Sequence, residues 1–262
     1  MKRITLLAFV CCVCLGAMAH ADDWSKTYNI SARPDLRVTT SDGNIRVDTW
    51  DKNSIDAHVS TSGWKIGEGG IKIYEHQTGD AVELEIRFPH GITFGFNHRR
   101  VDIDIHMPRE GRVALRTGDG DIRLANFKGE SDIESGDGAE QLEGVDGKLR
   151  AHSGDGNIRV DGRFDALDIS TGDGRIDARA AAGSTMASSW SFRSGDGNVT
   201  VQLPSSLAAD VDLKTGDGHI SVDLPLTMEG QLGGNSVRGK LNGGGNPLRV
   251  HTGDGSIRLE KT

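Results

Sequence analysis

The sequence is poor in several things that usually organise a protein: six prolines, three cysteines and 5% aromatic residues in a chain of 262. No apolar run reaches the roughly 18 residues that a membrane-spanning helix needs. All three cysteines, Cys11, Cys12 and Cys14, fall in the first apolar stretch, so no disulfide can hold the rest of the chain together. Positive charge is in deficit too. With 30 Lys and Arg against 38 Asp and Glu, the net charge is −8 and is spread along the chain, which disfavours nucleic acid and anionic lipid as partners.

The beginning is distinctive. Met1-Lys2-Arg3, an apolar stretch from Ile4 to about Ala17 and the small-x-small site Ala19-His20-Ala21 have the three parts of a secretory signal peptide. Residues 1–21 are therefore expected to be removed, leaving residues 22–262 as one exported domain, periplasmic or at the cell surface. None of the cysteines follows the Leu-small-small pattern of a lipoprotein signal.

Glycine is abundant, with 36 residues, and it is ordered. Seven Gly-Asp-Gly triplets begin at Gly118, Gly136, Gly154, Gly172, Gly195, Gly216 and Gly253, at intervals of 18, 18, 18, 23, 21 and 37. A fixed short period is the mark of a repeat architecture. Side-chain chemistry keeps the same register. A hydroxyl always precedes the triplet (Thr117, Ser135, Ser153, Thr171, Ser194, Thr215, Thr252), and apolar residues recur three before it, four after it and six after it, as in Leu115, Ile122 and Leu124. Spacings of two mean strands with one buried face.

Each repeat thus reads as strand, Gly-Asp-Gly corner, strand, second turn. A meander of hairpins and a solenoid of stacked coils both fit, and the constant period favours an all-β, β-helix-like solenoid of about 18-residue, two-strand coils. One coil offers about five inward apolar groups worth roughly 1.5–3 kcal/mol each, against an ordering cost of about 1–2 kcal/mol per residue. Coils must therefore stabilise one another by stacking.

An earlier copy, Leu36, Val38, Thr40, Ser41-Asp42-Gly43, Ile45 and Val47, lacks only the first glycine. After it, Ile71 to Ile86 alternates around the turn Gln77-Thr78-Gly79-Asp80 like a hairpin. The interval of 37 before Gly253, filled by the Gly-rich run 233–245, is about two periods and predicts one degenerate coil.

The triplet is expected to serve the corner, where Gly and Asp tolerate positive φ, with its aspartates forming a solvated ladder. The alternative is a calcium β-roll, whose turns are also rich in Gly and Asp. However, the nonapeptide Gly-Gly-x-Gly-x-Asp is absent. Stacking would bring Asp132, Arg150 and Asp168 side by side and Arg116 beside Glu134, predicting cross-coil ion pairs. Glu140 interrupts an apolar column, and its strand is expected to twist so that the carboxylate stays wet.

Outside the repeats, Phe94, Phe96, His98, Arg99 and Arg100 in the 88–100 segment offer either a contact patch or a cap for the solenoid end. Five histidines between His58 and His106 show no recognised ligand spacing. No catalytic, cofactor or metal residues are assigned.

The segments "LRVTTSDGNIRVDTW", "VDIDIHMP", "SGDGNIRV" and "VRGKLNGGGNPLRVHTGDGSIRLEKT" together resemble the bacterial putative-adhesin family, a domain of unknown function with repeated Gly-Asp-Gly β coils, from about Tyr28 to Thr262. The resemblance implies an exported, non-catalytic β protein, and repeated flat faces that suit extended partners make binding or scaffolding at the cell envelope the leading reading. Its partner would be an envelope protein, a glycan or a copy of itself. The rival function is a β-helical polysaccharide-acting enzyme, but no paired-carboxylate or Ser/His/Asp motif stands out to support it.

Overall fold

The computed structural model describes residues 22–89, 99–228 and 235–262; the expected signal peptide lies outside them. Among the described residues every regular element is a strand. The N-terminal part holds β1 (Asp23–Asn29), β2 (Asp35–Thr40), β3 (Asn44–Trp50), β4 (Ser54–Ser62), β5 (Lys72–Thr78), β6 (Ala81–Arg87) and β7 (Arg100–Pro108). The regular repeats are β8 (Glu110–Thr117), β9 (Ile122–Ala125), β10 (Lys128–Ser135), β11 (Glu140–Ser153), β12 (Ile158–Thr171), β13 (Ile176–Ala180), β14 (Trp190–Ser194) and β15 (Val199–Leu203). The chain ends with β16 (Ala209–Thr215), β17 (Ile220–Val222), β18 (Leu226–Met228), β19 (Ser236–Leu241), β20 (Pro247–Thr252) and β21 (Ile257–Lys261).

These strands make the two faces of a β-solenoid. Strands that precede the corners form one face, in the order β5, β6, β2, β8, β10, the second halves of β11 and β12, β14, β20, β16, β19 and β18. Strands that follow the corners form the other: β1, β4, β7, β3, β9, the first halves of β11 and β12, β13, β15, β21 and β17. Pairing is parallel through the middle and antiparallel only toward the two ends. The 18-residue stacking is seen directly, with Ser131 opposite both Val113 and Leu149, and Ile158 opposite both Glu140 and Ile176.

The alternation that defines the strands also fills the space between the faces. In β8 the inward residues Val113 and Leu115 are fully buried, while Arg112 and Arg116 face water. One apolar cluster runs without a break from Tyr28 to Leu259. At the N-terminal end Tyr28 of β1 is buried and donates to Glu75 Oε2 of β5 at 2.8 Å, joining the two faces.

The order of the coils corrects the expectation of a degenerate coil before Gly253. The chain leaves an empty slot after β14 and β15, builds β16 and β17 beyond it, turns back through β18 and β19, and then threads β20 and β21 into the slot. The N-terminal end uses the same device: β2 lies between β6 and β8, and β3 between β7 and β9.

The role of the corner glycines also differs from the one expected. Positive φ occurs in the second turn, at Asn126 (56°) and Gly144 (63°), and at none of the seven triplets. Close approach is what demands glycine in the triplet. A Cβ on Gly138 would lie 1.9 Å from the Gly120 carbonyl oxygen, and one on Gly156 would lie 1.9 Å from that of Gly138. The second glycine therefore lets each coil settle onto the last.

Glu140 corrects a third expectation. It is only 1% exposed and sits in the core column between Ile122 and Ile158. The parallel register on both sides holds the strand straight, so the carboxyl group goes inside.

Candidate functional site

At each corner the buried hydroxyl ties two coils together. Ser153 Oγ donates to the Gly138 carbonyl at 3.3 Å and accepts from the Gly156 N–H at 2.9 Å, and Ser194 bonds Gly174 and Gly197 in the same way, both at 2.9 Å. A second ladder, not anticipated above, is formed by the residue directly after the corner in four of the coils. There the side chains of Asn44, Asp121, Asn157 and Asn198 accept backbone N–H bonds from the next coil, at 3.1, 2.9, 2.8 and 2.8 Å. The Asn or Asp that directly follows the corner at these four positions was its sequence signal.

The corner aspartates themselves face solvent. In stacking order Asp42, Asp119, Asp137, Asp155, Asp173, Asp196, Asp254 and Asp217 run along one edge, all exposed. Adjacent members are about 4.8 Å apart in the stacking direction. Among the described residues no three His, Cys, Asp or Glu side chains converge as a metal site requires.

Outward side chains of the first face line up in rows across the strands. One row reads Glu83, Arg37, Ala114, Asp132, Arg150, Asp168, Ser191, Arg249, Asp212 and Arg238. Signs alternate along most of it. Arg116 pairs with Glu134 at 3.2 Å, as expected, and with Asp132 at 3.5 Å. Asp168 pairs with Arg193 at 3.3 Å. Arg150 stands in register between Asp132 and Asp168, so the stacking is as expected, yet among the described residues it forms no ion pair with either.

These rows floor a groove of about 810 Å³, rimmed by Ser188 and Ser189 of the segment between β13 and β14. That segment carries the five extra residues of the 23-residue interval. It is pinned by the Ala187 N–H to the Asp165 carbonyl (3.0 Å) and by Asn246 Nδ2 to the Met186 carbonyl (2.6 Å). Seven Lys and Arg side chains line the groove against three carboxylates, reversing the sign of the chain as a whole.

The 88–100 segment is described only at its flanks; Phe94, Phe96 and His98 lie outside the described residues. The flanks converge on Trp64, with Phe88 edge-on at 5.6 Å and the Arg99 guanidinium 4.3 Å above its ring. His58 and His106 share a smaller groove on the second face, where His106 stacks on Trp50 at 5.3 Å.

Among the described residues Glu140 is the one carboxylic acid buried in the core. Burial pushes its pKa up to about 8, and Glu134 adds to the shift. The Ser135 main chain draws the value back down, although neither carboxyl oxygen has a well-formed hydrogen bond. It lines neither groove described above, and at neutral pH it sits mostly protonated in the core.

A family described as Toastrack DUF4097 matches residues 25–260. Among solved structures, the chain is similar to a putative cell adhesion protein from Clostridium sporogenes (15% identity, 93% of this chain and 100% of that chain, TM-score 0.41). It is also similar to a putative adhesin from Parabacteroides distasonis (11%, 91% and 97%, TM-score 0.45). A putative lipid binding protein from the same organism gives 12%, 92% and 98%, with a TM-score of 0.38. No curated protein matches the chain.

Proposed function

The chain belongs to the Toastrack DUF4097 family, and from that premise we propose that it is an exported, non-catalytic protein that binds or scaffolds at the cell envelope. The observation that carries this reading is the row structure of the exposed faces. Side chains from ten successive strands stand in register, offering a repeated surface to an extended partner. Export rests on the charged start, apolar stretch and Ala19-His20-Ala21 site of residues 1–21, with residues 22–262 as the single mature domain.

The test is to express the full chain in a bacterial host, fractionate the cells, and sequence the N-terminus of the product. The expected result is a protein beginning at Asp22 in the periplasmic or surface fraction and retained on isolated cell-envelope material. An uncleaved protein in the cytosol would overturn the reading. A calcium-dependent form of the same function has the aligned aspartates in its favour and their outward orientation against it.

A further inference from the structure

We propose that the groove rimmed by the β13–β14 segment is a binding site for an acidic polysaccharide, with Arg150 and Arg249 as its principal contacts. The proposal rests on the binding-protein reading and gives it a place and a ligand class.

Three observations converge there. The first is charge. The chain carries −8 overall, yet this groove has seven cationic side chains against three carboxylates, the local excess that an anionic chain would seek.

The second is availability. Most cations of the first face are already paired, such as Arg112 with Glu130 (2.5 Å) and Arg193 with Asp168 (3.3 Å). Arg150 and Arg249 are exposed and form no ion pair among the described residues. They share one row, separated by Asp168 and Ser191. At the usual strand spacing they stand about 14 Å apart, so one extended polymer could reach both. A guanidinium binds a carboxylate through two parallel N–H bonds.

The third is construction. The groove lies where the repeat departs from its 18-residue period, and the extra segment is held by main-chain and side-chain bonds. Its rim supplies Ser189, and the floor supplies Ser191 and Asp168, which can exchange hydrogen bonds with sugar hydroxyls. No aromatic residue lines the groove, so it lacks the stacking platform that single-stranded nucleic acid uses.

The test measures binding of polygalacturonate by titration calorimetry at low and high salt, with dextran as the neutral polymer and phosphatidylglycerol vesicles as an anionic surface. The variant R150E/R249E is compared with R159E/R175E, which reverses two exposed arginines on the other side of the solenoid and changes net charge equally. The expected result is salt-sensitive binding of polygalacturonate, weakened at least tenfold by R150E/R249E and less than twofold by R159E/R175E, with unchanged melting temperatures. Equal weakening by both variants would overturn the groove while leaving the binding-protein reading intact. Binding to vesicles or dextran but not to polygalacturonate would overturn the acidic-polysaccharide ligand. Failure of the binding-protein reading itself would show separately, as absence of export and of retention on cell-envelope material.

Discussion

The Gly253 N–H donates to the carbonyl of Gly195 at 2.5 Å, although Gly216 is the next triplet along the chain. Gly216 in turn donates to Gly253 at 2.6 Å. The last repeat in sequence is thus the inner one of the two, and it bridges segments that would otherwise not touch.

Removing residues 247–262 should therefore do more than shorten the stack. It takes away the parallel partners of β16 and β17 and bares the outer edges of β14 and β15. β14 and β15 keep β12 and β13 beside them, so limited proteolysis is expected to digest the truncated protein from about residue 204 onward, whereas in a simple end-to-end solenoid residues 209–222 would stay protected.

Glycine and aspartate of the triplet should separate cleanly by mutation. Gly138→Ala forces a carbon against the Gly120 carbonyl and should cost about 3 kcal/mol or more, because neighbouring coils must part. Asp137→Ala removes an exposed side chain and should change stability by no more than about 0.5 kcal/mol. Thermal melts of the two variants decide it, and a large loss in Asp137→Ala would mean that the aspartate holds the corner.

The hydroxyl ladder gives an intermediate effect. Ser153→Ala leaves the buried Gly156 N–H without its acceptor and should cost about 1–3 kcal/mol. For a domain of this size that is a fall of roughly 3–10 °C in Tm. Ser153→Thr, the residue used at Thr171, should keep most of the stability.

Glu140 makes stability depend on pH. Its pKa is raised from 4.5 to about 8 in the folded protein, so the folded state keeps a proton that the unfolded state loses. Its burial is tolerated best below about pH 4.5, and its destabilising effect grows as pH rises and is complete above about pH 8. At roughly 1.4 kcal/mol per unit the cost at high pH is several kcal/mol. Glu140→Ile, matching Ile122 and Ile158, should raise Tm markedly at pH 8.5 and much less at pH 4.5. A gain independent of pH would show that the carboxyl group is not the cause.

Calcium supplies a further check. A true site at 100 times its Kd would add about 2.7 kcal/mol, a shift of roughly 5–10 °C. The outward ladder of aspartates is expected to respond to calcium no more than to other salts at matched ionic strength, since diffuse screening is all that separated carboxylates need. A calcium-specific shift would mean that the corner side chains turn together around the ion.

Much of this architecture was legible because the repeat is a local rule. Inward apolar columns, the hydroxyl before each triplet and the stacking of Asp132, Arg150 and Asp168 follow from an 18-residue period alone. Coil order was not legible. A coil edge presents the same N–H and C=O groups to any neighbour, so nothing within Leu248 to Leu259 says that it stacks between the Gly195 and Gly216 coils rather than beyond them. Glu140 was misread because a carboxylate normally prefers water, and here the strand register on both sides outweighs one side chain. The groove could not be read at all, since its rim comes from extra residues whose path depends on contacts with Asp165 and Asn246.

The inserted coil also bears on how the molecule is made. A chain that emerges N-terminus first, from a ribosome or a secretion channel, presents β16 and β17 before the strands that seat them exist. Those residues must wait, with a strand edge unpaired, until the final segment arrives and closes the gap. Folding of residues 209–222 is thereby made to wait for residues 247–262, and a binding or holding factor that shields β14 and β15 in that interval would protect them from pairing with another copy.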